Sequence, residues 1–200
     1  MSVLLSIMKA TIAQPLVEGT RGMPAPTINL HATLELDATP AQLWPLLSDT
    51  SRIDRAIGIP PFERSALQPD LSFAVDSHYM GVPVSWYEFP YEWVFEQWYQ
   101  VERAFVPPIP VRRLMTRTTL APLPGGRCHV DVVVGFEPRG LLGRTLAPLF
   151  IRHKLMRDLL RAYRSFAALA SAAQHAKLQT GSGYRGNTGS HPDDGFHRNN

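Results

Sequence analysis

The chain has 200 residues, 44% of them hydrophobic and 18% charged, a size and composition that suit one packed core and leave no room for a second full domain. Its single cysteine, Cys128, excludes an internal disulfide and a cysteine-based zinc site, which fits a reducing compartment and makes the cytoplasm the expected location. The formal charge of +3 permits contact with nucleic acid or an anionic membrane but selects neither, because carboxylates are spread through the same chain.

Residues 1–26 combine a short apolar piece, Val3 to Met8, with Gly19, Gly22, Pro24 and Pro26. They are expected to form a flexible leader, with Met23 as an alternative initiator. The apolar piece is too short for the core of an export signal and far below the ~20 residues of a membrane span. Then Ile28, Leu30, Ala32, Leu34 and Leu36 alternate with polar residues, which predicts a half-buried first strand. Thr39-Pro40-Ala41-Gln42 supplies an N-cap, a proline at the first helical position and a capping-box glutamine. The helix begun there carries Leu43, Trp44, Leu46 and Leu47. Asp49-Thr50-Ser51 caps a second short helix with Ile53 and Ile57, which Gly58 and Pro60-Pro61 end.

Six strand-like segments come next: Phe62 to Leu67, Leu71 to Met80, Val82 to Glu88, Val94 to Phe105, Val111 to Leu120, and Arg127 to Phe136. Gly81, Pro90, the prolines at 107, 108 and 110, and Pro124-Gly125-Gly126 separate most of them, and such short breaks favour antiparallel neighbours. In the last segment Cys128, Val130, Val132, Val134 and Phe136 alternate with His129, Asp131 and Glu137, so one face is buried. After Gly140 the period becomes helical to about Ala173. Pro148 predicts a short helix to Ala147 and a long one restarting at Pro148 and running roughly 35 to 40 Å. On that helix Leu149, Met156, Leu159, Leu160, Tyr163, Phe166, Ala167 and Ala170 share a face. Residues 177–200 are polar and are expected to be a disordered tail.

A strand, two small helices, a six-strand meander and a long terminal helix make an α+β chain. Over about residues 27–176 this order resembles the helix-grip architecture of the START-like (SRPBCC) superfamily, which includes polyketide cyclases and lipid-transfer domains. Trp44-Pro45-Leu46-Leu47-Ser48-Asp49-Thr50-Ser51-Arg52-Ile53, Ala56-Ile57-Gly58-Ile59-Pro60-Pro61 and Glu137-Pro138-Arg139-Gly140 are similar to the START-like module found upstream of some bacterial class III nucleotide cyclases. The chain departs from that pattern by ending in a polar tail without room for a cyclase domain, so cyclase activity is not carried over. The resemblance implies a curved antiparallel sheet of about seven strands wrapped on the long helix, around a cavity for a small ligand.

Within that frame the cavity candidates are Tyr79, Trp86, Trp98 and Met115 on strands, and Arg152, Met156 and Tyr163 on the helix. Arg152 falls near the middle of the apolar helix face. There a guanidinium can either hold a ligand's carboxylate or phosphate, or reach the mouth and pair with a sheet carboxylate such as Glu88, Glu96 or Asp131. The aromatics Tyr79, Trp86, Tyr87, Trp93, Trp98 and Tyr99 either line a pocket or form ordinary sheet core, and Trp98 and Tyr99, being adjacent, face opposite ways. Lys154, Arg157, Arg161 and Arg164, together with Arg112 and Arg113, form a basic side open to an acidic protein partner, to lipid headgroups or simply to solvent.

No phosphate loop, His-Glu-x-x-His helix or Gly-x-Ser-x-Gly elbow occurs, the histidines specify no metal site, and no nucleic-acid docking motif is present. No cofactor or catalytic residue is therefore assigned. The expected function is non-catalytic binding of a hydrophobic or amphipathic molecule, as a carrier or sensory module. A cyclase or aromatase-type enzyme moving protons through His78, Tyr79 or Arg152 is the alternative. A protein-interaction module acting through Arg157, Arg161 and Arg164 is a third.

Overall fold

The computed structural model describes residues 28–69 and 71–181. The expected leader and residues 182–200 of the expected tail lie outside the described residues, whereas residues 177–181, expected in that tail, end the terminal helix.

The fold is α+β. Strands β1 (Ile28–Leu36), β2 (Arg64–Leu67), β3 (Phe73–Tyr79), β4 (Val82–Glu88), β6 (Trp98–Phe105), β7 (Val111–Leu123) and β8 (Arg127–Pro138) form an antiparallel sheet in the order β1-β8-β7-β6-β4-β3-β2. The short β5 (Glu92–Val94) pairs with β6 beside this path. Helices α1 (Pro40–Leu47) and α2 (Thr50–Ala56) follow β1, and α3 (Gly140–Phe150), a π-helical turn (Ile151–Leu155) and α4 (Met156–Gly181) follow β8.

The core is built where the two best alternating strands meet. In the β1–β8 register Leu30 opposes Val134, Ala32 opposes Val132, and Leu34 opposes Val130, so both strands turn the same inner face toward the helix. Val130, Val132, Val134 and Phe136 are fully buried there, as are Met156 and Tyr163 from α4. The Tyr163 hydroxyl lies 2.7 Å from that of Tyr99 and 2.8 Å from Thr118 Oγ1, so three polar groups satisfy one another inside the apolar layer. Burial pushes both tyrosine hydroxyls above their ordinary titration range.

Local signals place the short helices. The Gln42 N–H donates to Thr39 Oγ1 at 3.3 Å while the Thr39 N–H donates to Gln42 Oε1 at 2.7 Å, completing the capping box. Asp49 caps α2 by accepting from the Arg52 N–H at 3.0 Å. Gly125 and Gly126, at φ 78° and 74°, turn the β7–β8 hairpin.

Two expectations need correction. The segment from Val94 to Phe105 is not one strand: β5 folds back on β6, with Trp93 opposite Tyr99. The turn between them uses Phe95, Glu96 and Gln97, with Glu96 at φ 57°, and has neither glycine nor proline to announce it. Pro148 does not interrupt the terminal helix either, since α3 runs through it to Phe150. The irregularity comes later, where the Met156 N–H reaches back five residues to the Ile151 carbonyl. One residue added to a turn rotates the remainder of the helix by about 100°. A single wheel drawn from Leu149 therefore fails: Leu149 is exposed, whereas Met156, Leu159, Tyr163, Phe166 and Ala167 are buried.

Two close contacts hold the remaining helices against the sheet. Gly143 of α3 sits so near the loop before β7 that a Cβ built on it would collide with the Pro110 carbonyl oxygen. The Arg139 N–H donates to that same oxygen at 2.9 Å. At α2, Arg103 of β6 donates to both oxygens of Asp54, at 2.9 and 2.7 Å, and to Glu88 of β4 at 3.0 Å. Glu88 also accepts from Arg64 at 2.7 Å. Burial pushes the Asp54 carboxyl up, and Arg103 only partly offsets it. The same burial opposes ionisation of Glu88, but there Arg103 and Arg64 together prevail and hold its carboxyl below the ordinary range.

Replacing Gly143 with alanine should lower the melting temperature despite alanine's better helix propensity, because the clash is with backbone; about 1–3 kcal/mol is expected from overpacking. An unchanged or raised melting point would show that the helix shifts freely. Arg103→Leu leaves two buried carboxylates without their shared cation, and should cost about 3–5 kcal/mol near neutral pH. Losing Arg103 makes both carboxyls bind protons more tightly than they do in the parent protein, so the deficit should shrink as pH falls toward about 5. Urea unfolding at the two pH values measures it, and an equal deficit at both contradicts the account.

Candidate functional site

Between the sheet and α3 the core opens into a cavity of about 530 Å³. The β3–β4 hairpin contributes His78, Tyr79, Met80, Val82, Val84 and Trp86 to its wall. This hairpin closes through Met80 and Gly81, at φ 53° and 79°, the primed turn that suits a two-residue connection. Phe105 and Leu114 come from β6 and β7, and Ile57 and Ile59 from the end of α2 and the residues after it. The helical side supplies Leu146, Ala147 and Phe150 from α3 and Ile151 and Leu155 from the π-helical turn. Tyr79 and Phe150 meet edge to face across the opening, with ring centres 6.0 Å apart. The wide turn thus delivers two aliphatic side chains into the cavity at the point where the helix changes phase.

The wall is almost wholly apolar. His78 is exposed at the rim, Tyr79 is half-buried beside it, and Arg103 is the cation of the interior. Arg103 cannot present a free charge to a ligand, because Asp54 and Glu88 take its donors. Its guanidinium also lies 5.4 Å from the centre of the Trp86 ring. Ile57, Arg103, Leu114 and Leu155 border both this cavity and a smaller pocket of about 50 Å³. That smaller pocket reaches toward Tyr99 and Tyr163.

The residues singled out from the sequence take different places. Tyr79 and Trp86 stand in the cavity wall. Tyr163 borders the smaller pocket, while Met115 and Met156 are buried outside the cavity wall. Trp98 faces away from Tyr99, as adjacent strand residues must, and stacks beneath Arg117, whose guanidinium carbon is 4.1 Å from its ring centre. Arg152 is half-buried in the π-helical turn and does not line the cavity; the altered helical phase removes it from the position that a regular wheel gives. Of the carboxylates considered for it, Glu88 receives Arg64 and Arg103, and Asp131 pairs with His31. In the basic flank, Lys154, Arg157 and Arg161 gather around Asp158, and Arg164 is exposed.

Sequence reasoning missed Arg103, although a signal existed. Tyr99, Val101, Arg103 and Phe105 share one parity on β6, so a cation there faces inward with three apolar neighbours. It also missed the contribution of α3 and of Ile59, whose inward direction depends on how the chain returns to the sheet. Among the described residues no group of three His, Cys, Asp or Glu side chains is placed to hold a metal ion. No helix among them is long and apolar enough to cross a membrane.

No family model matches the chain, and no curated protein matches it. Solved structures do. The protein TTHA0849 from Thermus thermophilus is 19% identical, with a TM-score of 0.53 over 72% of this chain and 99% of its own. Truncated norcoclaurine synthase from Thalictrum flavum is 12% identical, with a TM-score of 0.52 over 72% of this chain and 96% of its own. Ara h 8.0201 is 12% identical, with a TM-score of 0.53 over 72% of this chain and 97% of its own. At such identities the likeness concerns the fold: the chain shares the helix-grip architecture of these proteins.

Proposed function

We propose that the protein binds a hydrophobic or amphipathic small molecule without chemical change, as a carrier or as a sensory module acting on another protein. The observation that carries this reading is the cavity of about 530 Å³ with its nearly unbroken apolar wall. Volumes of this order suit small ligands, and an apolar lining favours burial of hydrocarbon or rings. The shared architecture supports the same reading by analogy only. A reducing, cytoplasmic setting agrees with the one buried thiol, Cys128.

Charge narrows the ligand. Arg103 is held by Asp54 and Glu88, with Arg64 on the far side of Glu88, so the interior offers no unbalanced cation to a buried carboxylate or phosphate. A deeply buried anion would lose its hydration without compensation. The part of the ligand that enters is therefore uncharged, and any polar end stays near the rim by His78 and Tyr79.

A neutral fluorescent probe, N-phenyl-1-naphthylamine, should bind with enhanced emission, and Val84→Phe should weaken it at least tenfold by filling the cavity while leaving the melting point within a few degrees. Undiminished binding by that variant would place the probe elsewhere. Long-chain alcohols should compete for the site better than carboxylates of equal length at neutral pH. The reverse order would sink the account of Arg103 as a neutralised cation.

A further inference from the structure

Helix α3 is inverted relative to an ordinary surface helix. Gly143, Ala147 and Ile151 face the protein and are buried, as the i, i+4, i+8 spacing requires. The outer side, which ought to be polar, carries Leu141, Leu142 and Leu149 beside Thr145, the leucines 79%, 68% and 58% exposed, and Leu146, 55% exposed, lies between that side and the cavity wall it lines. Phe150 continues this surface to the cavity mouth, and Met80 and Val82, 66% and 55% exposed, stand on the hairpin across the opening. Large apolar side chains scattered singly need no explanation, but a helix face made of them, contiguous with a cavity mouth, does.

Most of the cations near this surface are balanced by carboxylates just outside it, and one is not. The segments that frame the mouth, residues 78–84, 106–113 and 139–157, contain no aspartate or glutamate, although the chain as a whole has 17. Their cations include Arg112, Arg144, Arg152, Lys154 and Arg157. Arg112 pairs with Glu137, and Lys154 and Arg157 with Asp158. Arg144, exposed on α3 itself, has no ion-pair partner among the described residues.

We propose that α3 and the tip of the β3–β4 hairpin form a docking face for an anionic lipid bilayer, with the cavity mouth against the membrane. An 11-residue helix with leucines outward can lie in the interfacial plane, its leucines among the acyl chains and Arg144 at the headgroups. Charge argues for lipid over a second copy of the chain. A two-fold interface on this face would bring Arg144, which has no ion-pair partner among the described residues, toward its own copy. Docking requires no cargo, so it stands or falls apart from the reading of the cavity.

The test is co-sedimentation of the full chain with vesicles of phosphatidylcholine alone or with about one-third phosphatidylglycerol, at low and high salt. Binding should be at least tenfold stronger to the anionic vesicles and should weaken with salt. Leu142→Asp combined with Leu149→Asp should reduce it at least tenfold with the melting point preserved, since both side chains are already exposed. Arg144→Glu should weaken it several-fold more than Arg161→Glu, which places the same charge change on the exposed flank of α4. Absence of binding to anionic vesicles, equal binding to neutral ones, or indifference to the paired aspartates overturns the proposal. So does equal loss from Arg144→Glu and Arg161→Glu. If instead the protein dimerises in sedimentation velocity, ignores vesicles, and loses dimerisation with the paired aspartates, the face belongs to a second copy and the bilayer is ruled out.

Discussion

Two carboxylates from different parts of the chain meet on one guanidinium at the boundary of the cavity, and the arrangement of the site depends on that meeting. Asp54 comes from α2, Glu88 from β4 and Arg103 from β6, so one buried group ties a short helix to two strands. Arg64 of β2 joins through Glu88 and extends the network to the sheet's edge. Burying any one of these charges alone would be costly; buried together, each supplies what the others need. The opposite directions in which Asp54 and Glu88 are pushed reflect their company. Glu88 has two guanidiniums beside it, whereas Asp54 depends mainly on one and meets Glu88 as a like charge.

This network also determines what kind of cavity the protein has. An arginine facing an apolar interior would ordinarily suggest recognition of an anion. Here it serves the fold, because its donors are taken by protein carboxylates and its flat face lies near Trp86. The cavity is left chemically plain, with a nearly unbroken apolar wall. On the opposite side, α3 is held by a glycine pressed on the Pro110 carbonyl, and the π-helical turn brings Ile151 and Leu155 inward. Sheet and helix are thereby fastened at the margins of the cavity, not through it.

The mouth of this cavity lies beside an apolar part of the surface, where leucines of α3 face outward. An apolar molecule leaving a bilayer at that point would enter the cavity without crossing a layer of water, the step that dominates the barrier for a hydrophobic solute. Arg144, without an ion-pair partner among the described residues, favours an anionic surface over self-association there. The cavity reading and the docking face thus support each other physically while resting on separate observations.

Elements whose causes are local could be read directly from residue order. The capping box at Thr39 and Gln42, the glycine turn at Gly125-Gly126 and the alternation of β1 and β8 are each settled within a few residues, and the structure contains them as read. The order of these elements identified the helix-grip arrangement. Of the residues named as cavity candidates, Tyr79 and Trp86 stand in the wall, although strand alternation left open which of the central aromatics face inward. The tertiary structure alone decided the rest. The β5–β6 turn has no glycine or proline to reveal it, and Glu96 adopts its left-handed backbone between two paired strands. The wide turn at Ile151–Leu155 leaves no mark in residue type, yet it sets the phase of α4 and the place of Arg152. Arg103 could be assigned to the inner face by parity, but its neutralisation depends on residues 15 and 49 positions away in the chain. A charge's role is defined by what surrounds it after folding, and those neighbours are brought together only by the closed sheet and the helices packed on it.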